Sequence, residues 1–101
     1  MESFAALADP TRQRIVELLA RKGELAAGDI ADHFPSARPT VSRHLRVLRD
    51  AGVVRVRSVA QQRRYALDGD KLAELEAWLA RYRKFWARHL LELDRQVKER
   101  K

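Results

Sequence analysis

The side chains best suited to chemistry with a partner are arginines. Between Arg38 and Arg64 there are eight of them (Arg38, Arg43, Arg46, Arg49, Arg55, Arg57, Arg63 and Arg64) against a single acid, Asp50. That stretch alone therefore carries +7, the formal charge of the whole 101-residue chain. A guanidinium presents a planar fork that pairs with phosphate oxygens or with two acceptors on a guanine edge, and no lysine shares the stretch. The pattern points to a polyanion, nucleic acid first, with a merely basic surface from an arginine-rich composition as the plainer alternative.

Other chemistries are thinly supplied. The absence of cysteine excludes disulfide staples, thiolate metal sites, a cysteine nucleophile and a thiol redox switch. Three histidines, His33, His44 and His89, are scattered, and four glycines form no phosphate-cradling loop. No Ser-His-Asp or paired-carboxylate arrangement follows from the spacing, so neither an enzyme nor a resident cofactor is expected. Met1 to Ala8 lacks a basic leader, and no uncharged apolar run approaches the roughly 18 residues of a membrane span. A cytoplasmic protein without membrane contact is expected.

Positioning the arginines requires helices first. Asp9 and Pro10 start one, the carboxylate capping free amides and proline taking the first position, where it has no hydrogen bond to lose. Ile15, Leu18 and Leu19, with Phe4 and Leu7 from a preceding turn, form its buried stripe as far as Lys22, and Gly23 stops it. A second short helix fits Ala26 to Phe34, with Ile30 and Phe34 on one face and Pro35 ending it. Ser36 offers a cap for a third, in which Pro39 falls in the first turn, Val41, Leu45 and Leu48 face the core, and Gly52 terminates.

After Gly52 the apolar period changes from 3.6 to 2. Val54 and Val56 alternate with Arg55 and Arg57, a polar stretch runs from Ser58 to Gln62, and Arg63 to Leu67 forms the returning strand of an antiparallel hairpin. Its tip lacks glycine, leaving the turn type open. Asp68, Gly69 and Asp70 then start a last helix, in which Leu72, Leu75, Leu79, Tyr82, Trp86, Leu90, Leu93 and Val97 recur every three or four residues. Such a stripe is too long for one small domain to cover, and packing against a second subunit is favoured over folding back.

Two short helices joined by a tight Pro35 to Ala37 turn and followed by a hairpin are the parts of a winged helix-turn-helix, a mainly α fold with a β wing and one domain over residues 1–101. The exposed arc of the third helix carries Arg38, Ser42, Arg43, Arg46 and Arg49, with Thr40 and His44 at its flanks. Arg43 suits a base edge, and Arg38, Thr40 and Ser42 lie near the helix N-terminus, where amides attract phosphate. Arg46 and Arg49 come later and fit backbone or solvent. His44 has two readings, a hydrogen bond within the domain or a phosphate contact. Arg57, Arg63 and Arg64 lie in or beside the wing, within reach of the backbone or the minor groove.

Over nearly its whole length the sequence resembles the bacterial ArsR-type winged-helix repressors. The resemblance is carried by Leu7-Ala8-Asp9-Pro10-Thr11-Arg12 with Arg14-Ile15, by the long run from Pro39-Thr40-Val41-Ser42-Arg43-His44-Leu45 to Asp50-Ala51-Gly52-Val53-Val54, and by Arg63-Arg64-Tyr65-Ala66-Leu67. It implies a homodimer on an imperfect palindrome in its own promoter, with helices matching Phe4 to Leu7 and Leu72 to Val97 as the interface. The implied interface set is Phe4, Leu7, Leu72, Leu75, Leu79, Tyr82, Trp86, Leu90 and Leu93. Family members that sense metals use thiolates absent here, or carboxylates and histidines across paired last helices. His89, Glu92 and Glu76 have part of that second spacing, but Trp78 stands where another histidine is expected, so no metal is assigned. The aromatic cluster resembles the cysteine-free, metal-independent autorepressor branch, whose signal is often unknown or is another protein, so the effector expected here is an unidentified small molecule or protein. The competing reading is an architectural or RNA-binding winged helix that uses the same basic face for shape and charge; a symmetric dimer on a palindrome separates the two.

Overall fold

A computed structural model describes residues 2–99. Helix α1 spans Glu2–Ala6 and α2 spans Pro10–Lys22, followed by a two-residue strand β1, Leu25–Ala26. Helices α3 (Ala27–Asp32) and α4 (Arg38–Asp50) form the helix-turn-helix, strands β2 (Val54–Val59) and β3 (Gln62–Leu67) the wing, and α5 (Gly69–Glu99) closes the chain. The antiparallel sheet has the order β1-β3-β2, with Leu25 opposite Tyr65 and Val56 opposite the same tyrosine on the other side.

Asp9 caps α2 as its sequence position demands. Its extended backbone leaves the carboxylate free to accept the Arg12 amide at 3.0 Å, and Pro10 follows as the first helical residue. Replacing Asp9 by alanine is expected to cost about 1 kcal/mol of unfolding free energy in a urea titration, and Asp9→Asn only a few tenths, because the amide oxygen still accepts the bond. At the far end of α4 the Gly52 amide donates to the Arg49 carbonyl at 2.9 Å and Val53 to the Leu48 carbonyl at 3.0 Å. This paired closure needs a left-handed residue, and Gly52 supplies it at φ +79°. The chain is thereby turned out of α4 directly into the wing.

The core forms where these elements meet. Ile15, Leu18 and Leu19 of α2, Ile30 and Ala31 of α3, Val41, Leu45 and Leu48 of α4, and Val53, Val54 and Tyr65 around the sheet are buried together with Ala6. Phe34, Val56, Leu67 and Leu72 pack against its margin. The i, i+4, i+7 stripe of α4 thus fixes which arc of that helix faces outward.

Four expectations are corrected. The second helix runs over Ala27–Asp32 and so ends before Phe34; His33 closes it, its Nδ1 2.8 Å from the Asp29 carbonyl oxygen. Ala26 belongs to β1, because pairing with β3 satisfies backbone groups that a helix start would leave open. Ser36 does not cap α4: Ala37 stands at that position, its carbonyl accepting from Thr40 at 3.0 Å. The polar stretch after Arg57 remains in the ladder, with Val59 opposite Gln62, so the hairpin closes over Ala60 and Gln61 alone. Ala60 takes φ +54°, the positive angle a two-residue hairpin turn requires, without the glycine that would announce it.

Helix α5 begins at a second carboxylate cap, Asp68, whose Oδ1 accepts the Lys71 amide at 3.1 Å. Leu75 is buried and Leu72 half-buried, so the first turns belong to the domain. From Arg81 to Lys98 every side chain is exposed. The 31-residue helix, about 46 Å long at 1.5 Å per residue, gives the protomer its 65 Å long axis.

Candidate nucleic-acid interface

With Val41, Leu45 and Leu48 turned inward, Ser42, Arg43 and Arg46 are exposed on the outer arc of α4, and Arg38 stands at its first turn. Thr40 is half-buried beside them. Arg38 lies 3.4 Å from Asp32, a pair so exposed that water screens most of it. Among the described residues neither Arg43 nor Arg46 has an ion-pair partner, and Arg49 is paired only with its neighbour Asp50 at 3.3 Å. The arc is therefore a cationic, hydrogen-bonding ridge of the width a major groove admits.

His44 departs from that ridge. Its side chain is only 16% exposed, and Nδ1 lies 3.2 Å from Nη1 of Arg12 and 3.8 Å from Oδ2 of Asp9. Of its two readings, the hydrogen bond within the domain is the one the geometry matches. Arg12 in turn donates through Nε to the Ala6 carbonyl at 2.6 Å, Gln13 donates to the Leu7 carbonyl at 2.7 Å, and Ser3 Oγ donates to the Ala51 carbonyl at 3.2 Å. These bonds fasten α1 to both α2 and the end of α4. The Arg12 amide holds the Asp9 carboxyl below its ordinary range, helped by the nearby His44 and Arg12 and opposed by partial loss of water.

The three wing arginines expected to reach DNA, Arg57, Arg63 and Arg64, are not equivalent, and Arg55 of β2 is exposed beside them. Strand alternation turns Val54, Val56, Tyr65 and Leu67 toward the core and leaves Arg57 and Arg64, directly opposite each other, on the outer face. There Glu24, from the loop before β1, takes both: its Oε1 accepts Arg57 Nε at 2.6 Å, its Oε2 accepts Arg57 Nη2 at 3.0 Å, and Arg64 Nε lies 3.2 Å from Oε1. The Arg57 hydrogen bond holds the Glu24 carboxyl below its usual range, against the desolvation that would raise it, and the charges of Arg57 and Arg64 act in the same direction as the bond. Arg63, opposite Ser58 on the other face, is exposed and without an ion-pair partner among the described residues. Glu24 carries no signal in the sequence, since 33 residues separate it from Arg57.

The apolar stripe of α5 divides as well. Leu75 is 4% exposed, which removes it from the expected interface set, and Leu7 and Leu72 pack at the margin of their own core. Leu79, Tyr82, Trp86, Leu90, Leu93 and Val97 are exposed, and Phe85 and Leu91, outside the expected set, are exposed with them. Phe4 lies 4.9 Å from Trp78 between ring centroids, Trp78 stacks on Tyr82 at 4.5 Å, and Phe85 meets His89 edge-on at 4.2 Å. This aromatic ladder links α1 to α5. Among the described residues no group of three metal-ligating side chains converges, and no helix is long and apolar enough to cross a membrane.

A helix pair whose second member presents cations outward, backed by a three-stranded sheet ending in a basic hairpin, defines a winged helix-turn-helix. The family described as Helix-turn-helix domain matches residues 7–57. The HTH-type transcriptional regulator Rv2034 of Mycobacterium tuberculosis is 47% identical over 87% of this chain and 78% of its own length. The transcriptional repressor SdpR of Bacillus subtilis is 37% identical over 78% of this chain and 87% of its own. An ArsR-like transcriptional regulator from Rhodococcus sp. RHA1 has the same fold, with a TM-score of 0.75 at 32% identity over 91% of this chain and 86% of that one. The chain belongs to the ArsR-type family of winged-helix transcriptional regulators, which bind DNA and are not enzymes.

Proposed function

We propose that this protein is a homodimeric repressor that binds a palindromic operator, α4 of each protomer entering a major groove and the wing tip lying along the flanking backbone. The observation that carries the reading is the outer arc of α4, where Ser42, Arg43 and Arg46 stand exposed above a fully buried stripe. Arg43 reads a base edge, Arg38, Thr40, Ser42 and Arg46 hold phosphates, and Arg63 reaches the backbone from the wing. The exposed half of α5 supports a dimer through Leu79, Tyr82, Trp86, Leu90 and Leu93, with Phe4 of α1 at its margin, because a soluble chain rarely leaves so many large apolar side chains together in water. A solved relative from Mycobacterium bovis, described as a homodimeric winged helix-turn-helix DNA-binding domain, has a TM-score of 0.67 at 30% identity, covering 82% of this chain and 76% of its own.

Repression is then steric, the dimer occupying promoter DNA in the cytoplasm, and its own promoter is the first candidate, as for a cysteine-free, metal-independent autorepressor. Release by a small molecule or a protein acts through the angle between the two reading heads, which must stay about 34 Å apart to fit successive grooves. Fluorescence anisotropy against duplexes tiled upstream of the gene, with a scrambled duplex as control at about 0.15 M salt, tests the reading. Two protomers per duplex and a preference on the order of 10³ are expected. Equal, steeply salt-dependent affinity for every duplex overturns it in favour of an architectural role.

A further inference from the structure

The outer face of the wing holds a feature that the reading helix does not explain. Arg57 and Arg64 stand opposite each other on adjacent strands, an arrangement of like charges that is unfavourable unless something lies between them. Glu24 lies between them, bonded to both at 2.6 to 3.2 Å. Its position is fixed by the sheet: β1 begins one residue later and pairs with β3, Ala26 standing opposite Arg64 itself. The Glu24 side chain is 28% exposed, whereas that of Arg57 is 67% exposed, so the acid is the anchored member and the arginine the one that water and phosphate can approach.

We propose that Glu24 is a lock on the wing, withholding the guanidiniums of Arg57 and Arg64 from DNA phosphates and so limiting sequence-independent binding. The inference rests on the DNA-binding reading above and assigns a specificity-determining role to an acid outside the reading helix. Each phosphate contact releases counterions and adds about 0.9 to the slope of log affinity against log salt. A cation already paired with a carboxylate adds correspondingly less. Two arginines on each protomer are held in this way, leaving Arg55 and Arg63 as the wing cations without an ion-pair partner among the described residues. Sequence preference comes from base-edge contacts on α4, so weakening the indiscriminate phosphate term widens the gap between operator and bulk DNA.

The test is the salt dependence of binding by the full chain to a scrambled duplex and to the operator. Glu24→Gln is expected to steepen the slope for scrambled DNA by about 1 to 2 per protomer and to raise its affinity about tenfold near 0.15 M salt. The operator-to-scrambled ratio falls accordingly. Glu17→Gln, which makes the same charge change on the exposed face of α2, is expected to leave the slope as it is. Glu24→Asp, which keeps the charge but shortens the reach to Arg57, gives an intermediate rise and stands in should the glutamine variant fold poorly. Adding Arg57→Gln and Arg64→Gln to Glu24→Gln abolishes the gain. The proposal is overturned by an unchanged slope, by an equal effect of Glu17→Gln, or by a loss of affinity, which would make Glu24 an aid to the two arginines. A wild type without operator preference refutes the repressor reading but leaves the scrambled-DNA comparison able to judge the lock; preserved operator preference with unchanged slopes refutes the lock alone.

Discussion

The parent protein is expected to sediment as a dimer, and a Trp86→Asp variant as a monomer at the same concentration. Trp86 sits near the middle of the exposed α5 stripe, flanked by Tyr82 and Phe85 with ring centroids 6.0 and 5.8 Å away. In a two-fold seam the substitution acts twice, each time removing a large aromatic anchor and burying a carboxylate without a partner. Central aromatic positions of this kind are worth about 2 kcal/mol or more each, so the dimer dissociation constant should rise on the order of 10³-fold. The winged core should remain folded, because Trp86 lies beyond every buried residue of the protomer, and circular dichroism checks that. Trp86→Phe should stay dimeric. A dimer of unchanged stability in the aspartate variant would assign the subunit contact to another face.

Arg43→Ala should lower the ratio of operator to scrambled affinity about 10²-fold. A two-pronged contact to a guanine edge discriminates by about 1 to 3 kcal/mol, and a dimer makes it in both half-sites. Because Arg43 is exposed and has no ion-pair partner among the described residues, truncation removes nothing that holds the domain together. Affinity for scrambled DNA should fall far less, since at most one charge per protomer is lost. Arg43→Lys separates the fork from the charge: it should keep most of the scrambled-DNA affinity and lose most of the preference. A ratio that does not move in either variant would shift base reading away from this residue.

What was legible in the sequence is what short-range physics dictates. Asp9 with Pro10 fixes the start of α2, Gly52 fixes the end of α4, and the spacing of Val41, Leu45 and Leu48 fixes which arc of α4 faces outward, all within one helix or one turn. Strand β1 leaves no mark on the sequence because two residues cannot display a period. The hairpin turn was obscured because Ala60 adopts its positive φ without glycine. Leu75 and Leu79 read alike along the α5 stripe, yet one is buried in its own protomer and the other exposed; apolar spacing reports that a face is covered, not by what. The Glu24 contacts were out of reach for a different reason, since only the closing of the sheet brings residues 33 positions apart into one ion cluster.

The long exposed half of α5 has a consequence for how much protein a cell must hold. Helices in proteins draw most of their stability from packing an apolar face, and in the proposed dimer a second copy covers this one. In that dimer, folding of that half, pairing of the protomers and occupancy of both half-sites are linked by mass action, and apparent stability should rise with concentration. On that reading the promoter would be left open twice over at low copy number, because few molecules exist and fewer are paired. If the dimer represses its own gene, repression should set in more sharply as product accumulates than a one-to-one binder would allow, and the helix proposed to join the subunits would also set the threshold at which the gene turns itself down.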